Sequence, residues 1–544
     1  MKLPLPRVAN RISVNIAERR RSFDPLLARG QELHRSGKLD EAEALYRQVL
    51  ASTPWSVDAN ASLGELLLQR KTYPAAIACF DQCVRAEPNN VEYLNNLGYA
   101  HILNGTDEFG LPHLLKAARL APRNWRIFAN VGRAYTQLGR AEKGLPWLEK
   151  AVALAPRRKN KVRLMLGSVL VQVGEFDRAK AVFRELALKP WSAPAALRGL
   201  ANVDKQSPTN NALAEIEQHL ARTDLKEGQR LCLHQAAAKT HLDLGNVDEA
   251  FHHFLTVKRM EGLTFDIESF ERVLATLRSL YTADYLASRD GEGDMENEPV
   301  FIIGMPRSGS TLLEQIISGH SQLVGMGERP YIATIARRLG HGTPGYVHMV
   351  RTMPRYVVGE IAKGYMSLAR TAAERSGRTV DKFLHNFLHV GLIRLLFPRA
   401  KFLHARRNPM DCCFSMFTSP LTDGHAYTRD LATLGRYYRA YAQLMDYWSA
   451  EFPGLILDVD YEETVRDIEG TTRRVLDFLG LPWEENCLRF TENQRAVSTI
   501  SRWQVRQPLY HTSIERWRPY EKHLQPLMRE LGLLENDVPA PTAS

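Results

Sequence analysis

The sequence is poor in cysteine and has no long apolar run, and these absences limit what the chain can be. Its 544 residues include six cysteines with no paired Cys-x-x-Cys sets, so we expect neither a bound metal nor a disulfide framework, and a reducing compartment is the simpler interpretation. No run of about 18 apolar residues occurs, which predicts no membrane-spanning helix. The first residues lack the apolar region and cleavage site of a secretory signal. A cytoplasmic location is the expectation.

Length and composition indicate a globular protein of two or three domains. Apolar residues make up 44% and charged residues 24% of the chain, as is usual for globular proteins. The net charge of +10 suits acidic partners such as nucleic acids, anionic membranes or phosphorylated nucleotides. An arginine-rich surface without a special partner explains it equally well, so charge does not decide the function.

The first half of the chain is periodic. Prolines recur every 34 residues, at Pro54, Pro88, Pro122, Pro156 and Pro190. Counted from Phe23, small residues occupy position 8 (Gly30, Gly64, Gly98, Gly132) and position 20 (Ala42, Ala76, Gly110, Gly144), and large ones position 24 (Tyr46, Phe80, Leu114, Leu148). This resembles the tetratricopeptide repeat, in which two antiparallel helices pack closely and proline ends the second helix.

We expect the repeat array to cover residues 23–262, after an N-terminal segment 1–22 and before a connector 263–298. Such arrays stack into a superhelix whose concave face suits peptides and protein partners. We therefore expect the array to bind a protein or a peptide, rather than a nucleic acid or a membrane. The alternative is that the array only stabilises the attached domain or joins it into a homodimer.

Residues 299–317 (PVFIIGMPRSGSTLLEQII) have the spacing of a phosphate-binding loop. The run Val300–Ile303 predicts a buried strand, and the apolar periodicity after the loop predicts a helix. The loop residues are Gly304, Arg307, Ser308, Gly309, Ser310 and Thr311. Backbone N–H groups at the start of such a helix bind phosphate. However, Ser310 stands where the loop lysine belongs, and a basic residue lies inside the loop instead, at Arg307.

Further apolar runs at Lys401–His404 and Leu455–Val459, separated by helical stretches, predict an α/β domain with a mostly parallel sheet. The loop then follows the carboxyl end of a strand, where such sheets bind ligands. A nucleoside triphosphatase would need the loop lysine and an acidic Mg²⁺ ligand. No apolar run ends in a convincing acidic ligand, and the best candidates are Asp458 and Asp460 in the segment ILDVDYEE. We therefore do not expect triphosphate chemistry.

The loop PRSGST resembles the donor loop of sulfotransferases, which use 3′-phosphoadenosine 5′-phosphosulfate (PAPS). In that family an arginine followed eight residues later by a serine binds the 3′-phosphate. The segment KFLHARRNPMDCCFSMF supplies Arg407 and Ser415 at that spacing. The resemblance implies a PAPS-dependent enzyme over residues 299–535, followed by a tail, 536–544.

Within the family, residues 299 to about 525 are most similar to the tyrosylprotein sulfotransferases. That resemblance implies a catalytic base at Glu328, in GMGERPYI, and a catalytic lysine at Lys382, although the segments around both match imperfectly. It also implies that Ser498 and Arg506 close the donor site and that Tyr461 lies near the adenine. Animal members are membrane-anchored, and this sequence shows no anchor, so saccharide, lipid or small-molecule alcohols stay open as acceptors.

Sulfuryl transfer depends on positioning and on cations that stabilise the charge on the moving group. Arg307 and Lys382 are the expected cations, and no metal is required. An attacking hydroxyl must lose a proton, for which Glu328 is the preferred base. His385 is the rival, because other sulfotransferases use histidine. From a different class, a repeat scaffold that binds nucleotide without turnover is the alternative.

Overall fold

The computed structural model describes residues 25–156, 159–262, 264–373, 376–421, 423–492 and 514–534. The chain divides into two compact units between residues 169 and 170. None of the described helices is both long enough and apolar enough to cross a membrane.

The first unit consists of paired helices with the predicted period. The helices are α1 (25–35), α2 (Leu39–Ser52), α3 (Val57–Gln69), α4 (Tyr73–Ala86), α5 (Val91–Asn104), α6 (Asp107–Leu120), α7 (Trp125–Gln137), α8 (Ala141–Leu154) and α9 (Asn160–Val173), which runs into the second unit. Helices α2, α4, α6 and α8 each end two residues before a periodic proline. Proline has no N–H to donate to a helix, and it disfavours the helical conformation at the residue before it.

Close helix approach explains the small residues of the repeat. A Cβ atom added at Gly64 would lie 2.8 Å from the Phe80 ring, and one at Gly110 would lie 2.7 Å from the carbonyl oxygen of Gly98. Phe80 is fully buried between the helices. The predicted helical repeat array is therefore confirmed.

The second unit begins with further helices and continues into the α/β domain. The helices before the sheet are α10 (Phe176–Ala187), α11 (Ala193–Val203), α12 (Leu213–Leu220), α13 (Glu227–Leu244), α14 (Val247–Glu261), α15 (Ile267–Leu280) and α16 (Ala283–Ser288). The last three pack against the α/β domain. Asp248 of α14 pairs with Lys522 and His523, and Tyr281 is fully buried in the same core as Phe301 of the first strand.

The sheet has five strands in the order β2-β3-β1-β4-β5, and every neighbouring pair is parallel. The strands are β1 (Val300–Gly304), β2 (Leu323–Gly325), β3 (Arg378–Asp381), β4 (Lys401–Arg406) and β5 (Ile456–Asp460). The predicted parallel α/β domain is thus confirmed. Strands β2 and β3 were not predicted, because three or four residues carry too little pattern.

Helices cover both faces of this sheet. They are α17 (Ser310–Ile317), α18 (Tyr331–Arg338), α19 (Tyr346–Thr352), α20 (Arg355–Ala372), α21 (Val390–Leu396), α22 (Pro409–Thr418), α23 (Leu431–Glu451), α24 (Tyr461–Arg466), α25 (Ile468–Leu479) and α26 (Gln525–Glu530). Four 3₁₀ segments accompany them, η1 (Leu384–His389), η2 (Asp423–Arg429), η3 (Glu485–Glu492) and η4 (Arg518–His523). Strand β1 is buried on both faces, with Ile302 in one core and Phe301 in the other.

The segment before the sheet depends on one glycine. A Cβ atom at Gly391 in α21 would overlap the buried Tyr281 ring, whose hydroxyl is 2.8 Å from that of Tyr346. We expect Gly391→Ala to destabilise the protein by roughly 1–3 kcal/mol, the usual cost of overpacking a core. Gly364→Ala is the matched control, since that helical glycine has open space beside it and alanine favours helix by about 1 kcal/mol. Urea unfolding of both variants tests this; equal stabilities would contradict it.

Candidate functional site

The end of β1 and the loop after it contain three residues with positive φ. Gly304 and Gly309 have φ values of 145° and 90°, and Arg307 lies in the left-handed region with φ of 71°. Few residues other than glycine adopt that region, so the backbone at Arg307 is held by its surroundings. A Cβ atom at Gly309 would lie 2.5 Å from the Tyr461 ring. The ring therefore requires glycine at this position.

The structure brings together four of the predicted donor-binding residues, here called the donor-side cluster: Arg307, Arg407, Ser415 and Tyr461. The Nε of Arg307 donates to Ser415 Oγ at 2.9 Å. Arg407 donates to the carbonyl oxygen of Arg307 at 3.1 Å, and its guanidinium lies 5.0 Å from the centre of the Tyr461 ring. Residues from the loop after β1, from the chain directly after β4, from α22 and from α24 thus meet.

Three hydroxyl side chains of the loop are buried at the start of α17. Ser308, Ser310 and Thr311 are each at most 5% exposed. The hydroxyl of Ser308 has no hydrogen-bond partner among the described residues. Buried hydroxyls are normally bonded, so this group fits a bound phosphate or sulfate oxygen. Together with the cations of the donor-side cluster, the loop suits an anionic nucleotide.

Lys382 lies at the end of β3, and its side chain is only 1% exposed. Its Nζ is 2.7 Å from Glu328 Oε1 and 3.8 Å from Glu314 Oε2. Glu314 Oε1 accepts the N–H of Gly327 at 2.9 Å. We call these three side chains the lysine–glutamate triad. Lys382 and Glu328 are therefore direct partners, as expected of two residues of one site.

Sequence inspection missed Glu314 and Asp381. Glu314 is 5% exposed and lies in α17, within the apolar sequence LLEQII; an acidic residue in such a stretch was the available signal. Asp381 precedes Lys382 and is fully buried. Burial raises the pKa of Asp381 to about 7 although Tyr365 donates to its carboxyl at 2.8 Å. Nothing in the sequence indicated that burial.

The rival base, His385, belongs to a ring cluster beside the triad. Its ring lies 5.0 Å from that of His425 and 5.8 Å from that of Phe387. Burial lowers the pKa of His385 to about 3. An imidazole with that pKa is neutral at pH 7.

Ser498 and Arg506 lie outside the described residues. Further along the chain, the N–H groups of Glu515 and Arg516 donate to the carboxylate of Asp411 in α22 at 2.7 and 2.9 Å. Asp411 is one helical turn before Ser415. The C-terminal part of the chain is thus fastened to the helix that carries the donor-side serine.

Family comparisons identify both parts of the chain. Residues 299–485 match the sulfotransferase family, and residues 27–91 and 126–158 match tetratricopeptide repeats. The resemblance to both families is confirmed. The second unit accordingly carries a sulfotransferase-family domain.

Two curated proteins are similar over part of their length. An uncharacterized protein of Aquifex aeolicus (strain VF5) is 28% identical over 379 residues, 67% of this chain and 49% of that protein. Protein-tyrosine sulfotransferase A of Caenorhabditis elegans is 24% identical over 241 residues, 42% of this chain and 63% of that protein. The chain therefore spans about half of the first relative and less than two thirds of the second.

Two of the solved structures that match are repeat proteins. A tetratricopeptide repeat protein from Parabacteroides merdae is 16% identical, with 45% of this chain and 94% of that chain covered and a TM-score of 0.38. A thermophilic repeat protein of Thermus thermophilus is 21% identical, with 33% and 97% covered and a TM-score of 0.28. The repeat assignment depends on the sequence match and the helix packing, since these scores are low.

The buried Asp381 carboxyl predicts a pH-dependent stability. Its folded pKa of about 7 lies above the value near 4 of an unfolded chain. The folded state therefore holds the proton more tightly, and this contribution is lost as the pH rises from about 4 to 7. Asp381→Asn removes it while keeping the shape.

We expect the stability of Asp381→Asn relative to wild type to increase between pH 5 and 7, by at most about 1.4 kcal/mol per pH unit, and then to level off. Chemical unfolding at several pH values measures this difference. A difference that stays constant from pH 5 to 8 would show that Asp381 is ionised throughout.

Proposed function

We propose that this chain transfers a sulfuryl group from PAPS to a hydroxyl acceptor, and that the acceptor is a tyrosine of a polypeptide gathered by the repeats. The observation that carries the proposal is the donor-side cluster, in which Arg307 of a lysine-free phosphate loop is bonded to Ser415 beside Arg407. The family match over residues 299–485 supports the same chemistry.

The donor site is proposed from the charges around the loop. Two guanidinium groups, Arg307 and Arg407, suit phosphate oxygens because they donate in a planar fork. The N–H groups and hydroxyls at the start of α17 add donors, including the buried Ser308 hydroxyl. Arg407 and Ser415 would hold the 3′-phosphate, and Tyr461 would lie near the adenine. Ser498 and Arg506 stay predictions for the closure of this site.

PAPS supplies a sulfuryl group already activated on a phosphate. The protein then has to position it in line with the acceptor and to neutralise charge. Lys382 is fixed in place by its burial and its two carboxylate partners. Arg307 and Lys382 would together stabilise negative charge on the moving group and the departing phosphate. Such cations do not reorganise during the reaction, which is why fixed positions matter.

Glu328 is the proposed base for the acceptor hydroxyl. Its side chain is 46% exposed, so an acceptor entering from solvent can reach it. The hydroxyl proton would pass to this carboxylate as the new oxygen–sulfur bond forms. The electron pair of the breaking bond stays on the 5′-phosphate oxygen.

The tyrosine acceptor is supported by the partial match to a protein named protein-tyrosine sulfotransferase A. A repeat array in the same chain suits a polypeptide, because repeats of this kind form extended binding surfaces. Saccharide, lipid and small-molecule alcohols are the competing acceptors. A scaffold that binds nucleotide without turnover is less favoured. The chain has all the proposed catalytic groups, which are the cations Arg307 and Lys382 and the base Glu328.

Donor choice gives a direct prediction. Because Arg407 and Ser415 should hold a 3′-phosphate, 3′,5′-ADP should raise the melting temperature whereas ATP and 5′-AMP do little. Arg407→Ala should weaken 3′,5′-ADP binding by about 2–3 kcal/mol, as expected for hydrogen bonds to a charged group. Thermal shift and calorimetric titration measure both effects.

Arg406→Ala is the matched control, because that neighbouring arginine is already bonded to Asp458 at 2.5 Å and to Asp460 at 3.1 Å. It should bind 3′,5′-ADP as the wild type does. Equal shifts with 5′-AMP and 3′,5′-ADP would remove the reason for naming PAPS.

The base assignment predicts which variant is inactive. Glu328→Gln keeps the shape but takes no proton, so kcat should fall by about 10²–10⁴-fold, the usual worth of a general base, with 3′,5′-ADP binding retained. His385→Asn should keep most of the rate because that imidazole is a weak base. Steady-state assays with labelled PAPS compare them. An inactive histidine variant beside an active glutamine variant would reverse the assignment and weaken the tyrosine proposal.

A further inference from the structure

The proposed base is bound to the proposed catalytic cation. Glu328 Oε1 lies 2.7 Å from Lys382 Nζ, so this oxygen of the proposed base is occupied by the ammonium. Lys382 is equally limited, since a lysine paired with Glu328 is less able to neutralise a sulfuryl group. Glu328 must therefore turn from Lys382 before this oxygen can take a proton, while Lys382 stays in place.

A buried cation cannot simply lose its counter-ion. Lys382 is 1% exposed, and removing one partner of a buried pair leaves an uncompensated charge that costs several kcal/mol. Without another carboxylate nearby, the buried Lys382 ammonium would have no counter-ion once Glu328 turned away. The site therefore needs a second anion that stays in place.

Glu314 fits that requirement. Its Oε2 lies 3.8 Å from Lys382 Nζ, and its other oxygen accepts the N–H of Gly327 at 2.9 Å. The Glu314 side chain is 6% exposed, against 46% for Glu328. One carboxylate of the triad is thus fixed and buried, and the other has solvent on one side and room to move.

Glu314 is linked both to the donor loop and to the turn that carries the proposed base, Glu328. It lies in α17, three residues after Thr311 of the donor loop. Its bond to Gly327 holds the turn directly before Glu328. Glu314 therefore links the helix that starts at the donor loop, the turn that carries the base and the lysine between them.

We propose that Glu314 is a positioning residue that keeps Lys382 charged and in place while Glu328 turns from the lysine to the acceptor hydroxyl. This rests on the proposed sulfotransferase function. During transfer Glu328 takes the hydroxyl proton, the acceptor oxygen bonds to sulfur, and the sulfur–oxygen bond to the 5′-phosphate breaks. Lys382 stays protonated throughout, with Glu314 as its remaining partner.

The test is Glu314→Gln, which still accepts the Gly327 N–H but carries no charge. Lys382 would then depend on Glu328 alone, so kcat for sulfate transfer from PAPS to tyrosine peptides should fall by about 10- to 100-fold. Both limbs of the pH–rate profile should move to lower pH, because Glu328 is paired more tightly and Lys382 has lost a carboxylate. Three other titratable or charged groups lie near the triad and are not substituted: Asp381, which interacts with the charge of Glu314, Arg329 near Asp381, and His425, which interacts with the charge of Glu328. Unmoved limbs would overturn the proposal.

Glu484→Gln is the matched control. Glu484 also accepts a backbone N–H, that of Ser321 at 2.8 Å, but it lies beyond the other end of α17. Its substitution should leave both limbs where they are in the wild type. A shift of the same size in this variant would mean that the limbs respond to any loss of charge, and would contradict a special role for Glu314.

A measurement without turnover separates this proposal from the proposed function. In the wild type, Glu314→Gln should lower the melting temperature, since a buried lysine loses an anion. In a Lys382→Met background the same substitution should raise it, because it relieves two facing carboxylates. Equal losses in both backgrounds would show that Glu314 only supports the turn. If peptides receive no sulfate at all, the proposed function fails while this reversal still decides the role of Glu314.

Discussion

The burial of Lys382 between two glutamates is the interaction on which the site depends. A cation at 1% exposure requires anions fixed around it, and the fold provides them from two places. Glu314 comes from the helix that begins at the donor loop, and Glu328 from the turn after β2. The parallel order β2-β3-β1 places these elements side by side. In the proposed reaction, this same charge would face the moving group.

The donor-side cluster has the opposite arrangement of charge from the lysine–glutamate triad, because its arginines surround a loop that lacks the usual lysine. Arg307 reaches across to Ser415, so the loop and α22 act as one unit. Asp411 then fastens the chain after residue 514 to the same helix. The helices α14–α16 share the core of this domain, and Asp248 of α14 pairs with Lys522 and His523. Helices α14–α16, which precede the sheet in the sequence, thus help to support the α/β domain.

The sequence predicted features that repeat or that have fixed spacing. The comb of prolines indicated the helix pairs, and three apolar runs indicated β1, β4 and β5. The loop glycines and the spacing from Arg407 to Ser415 indicated a common site, and the donor-side cluster contains both residues. Strands β2 and β3 were missed because they are short. Asp381 was missed because its burial comes from the tertiary structure, which the sequence does not reveal. Glu314 was missed although its place within the apolar stretch LLEQII was a signal of burial. Ser498 and Arg506 stay predictions.

The central claim is that this site moves sulfate from PAPS to the hydroxyl of a tyrosine. The most direct measurement is transfer of labelled sulfate from PAPS to a library of tyrosine-containing peptides, with phenylalanine-substituted peptides, saccharides and simple alcohols as parallel acceptors. We predict label on the tyrosine peptides alone. Label on a saccharide or an alcohol instead would contradict the acceptor, and absence of transfer to every acceptor, despite binding of 3′,5′-ADP, would contradict the enzymatic function itself.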